Sequence, residues 1–250
     1  MTYCVGLRLG TGLVFMSDTR TNAGVDNISV FRKMFTWTVE GERHITLMTA
    51  GNLATTQSVI SMLAERTKVL EDRSPSILEA PTMFQVARLV GQMLKESVQS
   101  NSTGEQEADS SFNATIIVGG QIKGGEPQLY LVYPEGNFLE ASEDTPFFQI
   151  GETKYGKPII VRAYEPNMSI EDAIKLLMVS FDSTIKANLS VGLPLDLNIY
   201  YSDALDSGVM RRIKADDPYF RTISSAWGDA LKSAFQSLPD YSLENTSKPE

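Results

Sequence analysis

The chain has 250 residues, 42% of them hydrophobic, and a formal net charge of −9. That length supports a sizeable core in one large domain or two small ones. The acidic balance argues against a nucleic-acid partner, whose phosphates need a basic face. No apolar run approaches the ~20 residues that span a bilayer, and one cysteine (Cys4) with one histidine (His44) allows neither an internal disulfide nor a Cys/His zinc cluster.

Tyr3 to Leu9 sets Tyr3, Val5, Leu7 and Leu9 on one face at strand period, Gly10-Thr11-Gly12 turns the chain, and Leu13 to Ser17 returns as a second strand. Asp18 to Asp26 is polar and contains Gly24, so it is expected to be a loop. Ser29 to Thr38 carries Val30, Phe31, Phe35 and Trp37 and reads as a strand. Arg43 to Thr49 follows after a Glu40-Gly41-Glu42 turn. The first fifty residues are therefore expected to form one four-strand antiparallel unit.

The period then becomes helical. Leu53 to Lys68 has Val59, Ile60, Leu63 and Thr67 on one side, and Met83 to Ser100 carries an apolar stripe behind Thr82 and Gln85 at capping-box spacing. Asp72 to Pro81 and the acidic Asn101 to Ser111 are expected loops. Phe112 to Gly119 and Gln128 to Tyr133 read as a hairpin, with short strands at Phe138 to Ala141 and Phe147 to Ile150. Ser169 caps a third helical stretch, Leu195 to Tyr201 is a strand, and Asp217-Pro218 opens a final helix. Hairpin sets separated by helices, with no internal repeat and no linker, indicate a layered α+β fold in a single domain over 1–250, frayed over 238–250.

Thr2 is the candidate nucleophile. Once Met1 is removed, Thr2 carries a hydroxyl and a free α-amine on one residue, a nucleophile with its own proton acceptor. Lys33 is a cation among apolar neighbours, sharing a face with Phe31 and Phe35 if the strand alternation holds, and a lysine so placed needs a partner or a function. Near Thr2 it lowers the amine's pKa and favours a developing alkoxide, with Asp18 holding it charged and oriented. The N–H of Gly51, where no side chain blocks approach, is the candidate oxyanion donor. A threonine at position 2 has little weight alone, and Asp18 with Arg20 has the plain alternative of a turn with a surface ion pair. His44 reads as an ordinary strand residue and Cys4 as a small core residue.

The block Thr2, Leu13-Val14-Phe15-Met16-Ser17-Asp18-Thr19-Arg20, Lys33 and Thr49-Ala50-Gly51 resembles the proteasome β-subunit family. Residues 17–26 and 49–56 carry a closer likeness to its bacterial ancestral-β-subunit branch, Anbu. The resemblance implies an N-terminal-nucleophile hydrolase fold, a four-layer αββα sandwich with two antiparallel sheets between helix layers. It further implies threonine-type hydrolysis of a peptide or protein substrate by a homo-oligomer, in a ring or open ring, with no cofactor and no metal. The family roles fall on Thr2 as nucleophile, Asp18 and Lys33 as tuning pair, Gly51 as oxyanion donor and Arg20 as a supporting residue.

Proteasomes place a serine in a Gly-Ser-Gly turn, where this chain has Gly151-Glu152-Thr153. Where they have an aspartate followed by a serine after the long helix, it has Asn188 and Ser190. Glu152, Asn188 and Ser190 are accordingly supporting residues in an altered proton network. No propeptide is expected, and on that reading activation would require only removal of Met1. The absence of a positive-then-apolar leader points to the cytoplasm, with no membrane or nucleic-acid partner. Without a secretory route, the Asn-x-Ser/Thr triplets at Asn27, Asn101, Asn113, Asn167, Asn188 and Asn245 are chance matches. Two other readings stay open: a non-peptidase amidohydrolase on the same fold, and a weakly active or non-catalytic assembly subunit.

Overall fold

The computed structural model describes residues 1–22, 28–68, 75–101 and 110–241. In chain order they form β1 (Tyr3–Leu9), β2 (Gly12–Asp18), β3 (Arg20–Asn22), β4 (Ile28–Val30), β5 (Met34–Val39), β6 (Arg43–Gly51), α1 (Leu53–Lys68) and α2 (Met83–Asn101). Then follow β7 (Ala114–Ile122), β8 (Gln128–Val132), β9 (Phe138–Glu140), β10 (Phe147–Gly151), α3 (Lys157–Ala163), α4 (Ile170–Ala187), β11 (Leu195–Tyr201), β12 (Val209–Ile213) and α5 (Pro218–Gln236). One antiparallel sheet has the order β10-β1-β2-β11-β12 and the other β5-β6-β7-β8-β9.

Strand alternation distributes the apolar residues into three cores, which separate four layers. Along β1, Tyr3, Val5, Leu7 and Leu9 face α4 with Leu177 and Phe181, whereas Cys4 faces the second sheet. β2 does the same, with Val14 and Met16 outward and Leu13 and Phe15 between the sheets. Ile45, Leu47, Ile116 and Val118 pack on α1 and α2 through Val59, Leu63, Val90 and Leu94. Gly119 leaves the space that the Phe15 ring fills, since a Cβ there would overlap that ring. The central strands of each sheet are thus buried on both faces, giving the αββα sandwich.

The helices begin where the sequence marks them. Ser169 Oγ accepts from Asp172 N and Asp217 from Phe220 N, while Thr82 Oγ1 accepts from Gln85 N at 3.2 Å. Among the described residues, no helix is long and apolar enough to cross a membrane.

Four expectations are corrected. The first fifty residues are not one sheet: β1 and β2 lie in one layer and β5 and β6 in the other. The polar segment after Asp18 is not all loop, because Arg20–Asn22 pairs with Ile28–Val30 as a two-stranded ribbon. Lys33 does not alternate with Phe31 and Phe35 along a strand, since residues 31–33 are irregular and the ladder resumes at Met34 opposite Met48. The short helix α3 and the strand β12 were not expected. Residues 23–26 of the loop expected after Asp18, 72–74 of that expected over Asp72 to Pro81, 102–109 of that expected over Asn101 to Ser111, and the tail from 242 lie outside the described residues.

The ribbon is what builds the site. It carries the chain from the end of β2 in one sheet to the start of β5 in the other. Phe31 N donates to Thr19 O at 2.8 Å, closing the ribbon at its base. The break at 31–33 frees the Lys33 side chain from the sheet pleat and turns it toward Asp18.

Candidate active site

Asp18, the last residue of β2, is fully buried, and Lys33 is 5% exposed. Their ion pair measures 2.7 Å from Nζ to Oδ1. The same carboxylate accepts from the backbone N–H of Tyr3 at 3.0 Å and of Arg20 at 3.2 Å, and from that of Gly192. Burial holds the Asp18 carboxyl above its ordinary pKa, opposed in part by the Lys33 charge and by the N–H groups of Tyr3 and Gly192.

A lysine ammonium has three N–H donors. Lys33 gives one to Asp18, one to Arg20 O at 2.6 Å and one to Met1 O at 3.3 Å. The third therefore points at the peptide joining Met1 to Thr2. That carbonyl belongs to the unprocessed chain and leaves with Met1.

Residue 2 is held from the other side by β10. Glu152 N donates to Thr2 O at 2.7 Å, and Tyr3 lies opposite Gly151 in the ladder. Gly151 has φ of +83°, and a Cβ there would overlap Thr2 O, so the close approach requires glycine. Glu152 is 7% exposed; Asn188 Nδ2 donates to its Oε2 at 2.8 Å, and Lys154 Nζ lies 3.7 Å from its Oε1. Asn188, the C-cap of α4, also reaches Met1 Sδ at 3.8 Å and accepts from Ser190 N at 2.9 Å through Oδ1. The Met1 α-amine is lowered below its ordinary pKa by burial first and Lys33 second, while Asp18 and Glu152 raise it.

Gly51 ends β6 with φ of +114°. Thr49 N donates to Lys33 O on the β5 side, and Asn52 N donates to Asn113 O on the β7 side. Strand alternation therefore directs the Gly51 N–H to the β5 side, beyond the first residue of β5. There it borders a pocket of ≈ 500 Å³ lined by Met1, Thr2, Thr21, Arg32, Lys33 and Gly51 among others. Arg20 stands outside the pocket. Its Nη1 donates to Leu189 O at 3.0 Å, and its guanidinium lies against Gly192, where a Cβ would overlap it.

The structure thus gathers Thr2, Asp18, Lys33, Gly51, Glu152, Asn188 and Ser190 at one end of the sandwich, with Arg20 bracing the segment after α4. Sequence reasoning gave no site role to Thr21, Arg32 or Gly151, which also line the pocket. A glycine directly before Glu152 at a strand end was the available signal for Gly151. Among the described residues, no group of His, Cys, Asp and Glu could hold a metal ion. His44 and Cys4 sit inside the fold, both fully buried, away from the pocket lining.

Residues 2–192 match the family described as Proteasome subunit. Anbu from Yersinia bercovieri is 45% identical, with a TM-score of 0.89 over 96% of this chain and 100% of that one. The Anbu (Gly-1) mutant from a Hyphomicrobium strain is 48% identical, covers 97% and 100% of the two chains, and has a TM-score of 0.90. Anbu from Pseudomonas aeruginosa, solved as a helical assembly, is 44% identical with a TM-score of 0.90 over 98% and 100%. The proteasome subunit beta of Methanopyrus kandleri is 25% identical over 76% of this chain and 82% of its own length. On these grounds the chain belongs to the proteasome subunit family, in its ancestral-β-subunit (Anbu) branch.

Proposed function

We propose that the protein is a threonine-type peptide or amide hydrolase that acts through Thr2 once Met1 is removed. The observation that carries this reading is the third N–H of Lys33, which is buried, ion-paired and aimed at the Met1–Thr2 peptide. Loss of Met1 takes away its acceptor and leaves an ammonium beside a new α-amine and the Thr2 hydroxyl. Thr2 Oγ1 attacks the substrate carbonyl carbon, and its proton passes to the neutral α-amine. The carbonyl oxygen gains the negative charge in line with the Gly51 N–H. Proton return from the amine to the leaving nitrogen gives an acyl ester on Thr2, which water hydrolyses. Arg20 supports the segment after α4, and Glu152, Asn188 and Ser190 orient the amine in place of the proteasome's serine and aspartate.

The protein works as a homo-oligomer in the cytoplasm. A helical assembly of a relative 44% identical to this chain supports self-association. A panel of peptides and small acyl amides tests the chemistry. Hydrolysis by the Met1-free protein that falls by roughly 10³-fold or more in Thr2→Ala is the expected result. Turnover of small acyl amides without turnover of peptides would place the activity among non-peptidase amidohydrolases. Turnover unchanged in Thr2→Ala would overturn the assignment.

A further inference from the structure

We propose that Tyr3 is a positioning residue whose buried phenol hydroxyl fixes residue 2 against the Asp18–Lys33 pair. The proposal rests on Thr2 being the nucleophile for its consequence in rate, and on geometry alone for its consequence in order. The first residues of a chain fray unless tied down, yet here the second residue must hold a hydroxyl and an amine in register with a fixed ammonium. A misplacement of ~1 Å can cost about 100-fold in rate. Two bonds hold the backbone of the segment: Glu152 N donates to Thr2 O, and Tyr3 N donates to the Asp18 carboxylate Oδ1. The Tyr3 side chain supplies a third anchor, beneath α4.

That side chain is fully buried beneath α4, with its ring 4.5 Å from that of Phe181. An apolar residue would satisfy such a place, and the position is instead built around a hydroxyl. Gln149 Nε2 of β10 donates to Tyr3 Oη at 2.5 Å, Tyr3 Oη lies 2.7 Å from Ser180 Oγ of α4, and Ser180 Oγ donates to Gly156 O at 3.1 Å. Because the Ser180 proton goes to Gly156 O, the Tyr3 proton goes to Ser180, which gives the chain a single direction. Gly156 completes it, since a Cβ there would overlap both Tyr3 Oη and Ser180 Oγ. Three elements, β10, α4 and the residue before α3, thus converge on one hydroxyl. The residue bearing it adjoins Thr2, and its N–H orients the Asp18 carboxylate that holds Lys33. Burial pushes the phenol's pKa up, so the hydroxyl stays a donor across the working range.

The test uses the full-length Met1-free protein with Tyr3→Phe and Ser180→Ala, and with Ile160→Val as a packing control in the same core. Two readouts are taken well below the melting temperature. The first is inactivation by a hydroxyl-directed electrophile, separated into binding constant and rate constant. The second is hydrogen exchange of the Tyr3 and Cys4 amides, the first two peptide N–H groups of the processed chain. Both hydroxyl-chain variants are expected to lose about tenfold in the inactivation rate constant with the binding constant unchanged, and to exchange these amides faster. Ile160→Val is expected to lower the melting temperature without either change. Unchanged exchange and an unchanged rate constant in Tyr3→Phe would overturn the proposal. Wild type that never labels, together with faster exchange in Tyr3→Phe, would uphold the anchoring of residue 2 and reject the nucleophile assignment instead.

Discussion

Lys33 gives its three protons to Asp18, Arg20 and Met1, and this geometry decides what each neighbouring substitution does. Lys33→Met keeps the length of the side chain and removes the charge, leaving the buried Asp18 carboxylate without its cation. Breaking a buried pair in this way costs about 3–5 kcal/mol, so chemical denaturation should report a loss of that size together with loss of Thr2-dependent activity. The α-amine gives a second handle. At residue 1 it is lowered by burial and then by Lys33, and the proposal puts the amine of residue 2 under the same Lys33 charge. In the proposed mechanism the neutral amine is the active form, so activity is expected to rise with pH along a limb centred below the ~7.7–8.0 of an ordinary α-amine. Glu152 acts in the opposite sense and raises the amine. Glu152→Gln should therefore move the acidic limb of the kcat/KM profile to lower pH. A shift to higher pH would show that the carboxylate serves another end.

At the scale of elements, the two sheets are joined by a polar cluster as well as by apolar packing. His44 of β6 is fully buried; its Nδ1 lies 3.0 Å from Thr38 Oγ1 of β5, and its Nε2 lies 3.0 Å from Thr46 Oγ1 and 3.3 Å from Asn198 Oδ1 of β11. The ring stacks on Tyr200 at 4.9 Å. Burial holds the His44 pKa below its ordinary value, with Asn198 and Asp206 opposing. The folded chain thus keeps His44 neutral where the unfolded chain protonates it, near a pKa of about 6.5. This contribution to stability is complete above that value and is lost as pH falls through it toward the lower folded-state pKa. Denaturation measured between about pH 7 and pH 5 should show that decline, and His44→Gln should flatten it.

Much of this architecture was legible because local signals agreed with the final packing. Strand alternation in Tyr3 to Leu9 and the caps at Ser169 and Asp217 each stand where the sequence put them. What stayed hidden depends on distant partners. β12 is mostly exposed, with Arg211 and Arg212 in its middle, and it exists through its ladder to β11 and the Arg212 bonds to Asp196 at 2.7 and 2.9 Å. α3 has seven residues and no side-chain cap. The division of the first fifty residues between two sheets was invisible because a hairpin pattern does not say which sheet it joins. In the site, Lys33 was conspicuous as a cation among apolar residues. The Glu152–Asn188 bond joins positions 36 apart and leaves no trace in local periodicity.

Taken whole, the molecule is a proteasome-family sandwich in which one end of both sheets meets the chain's own beginning. Thr2 directly precedes β1, Asp18 ends β2, the ribbon delivers Lys33, Gly51 ends β6, and Glu152 and Asn188 directly follow β10 and α4. The central claim is that residue 2 becomes the amino terminus and acts as the nucleophile. The most direct measurement is intact mass and adduct mapping after treatment with a hydroxyl-directed electrophile, on wild type and Thr2→Ala side by side. The expected result is a chain lacking Met1 with a single adduct on Thr2, absent from the variant. A wild-type chain that keeps Met1 in its native host, or an adduct that persists in Thr2→Ala, would contradict the claim.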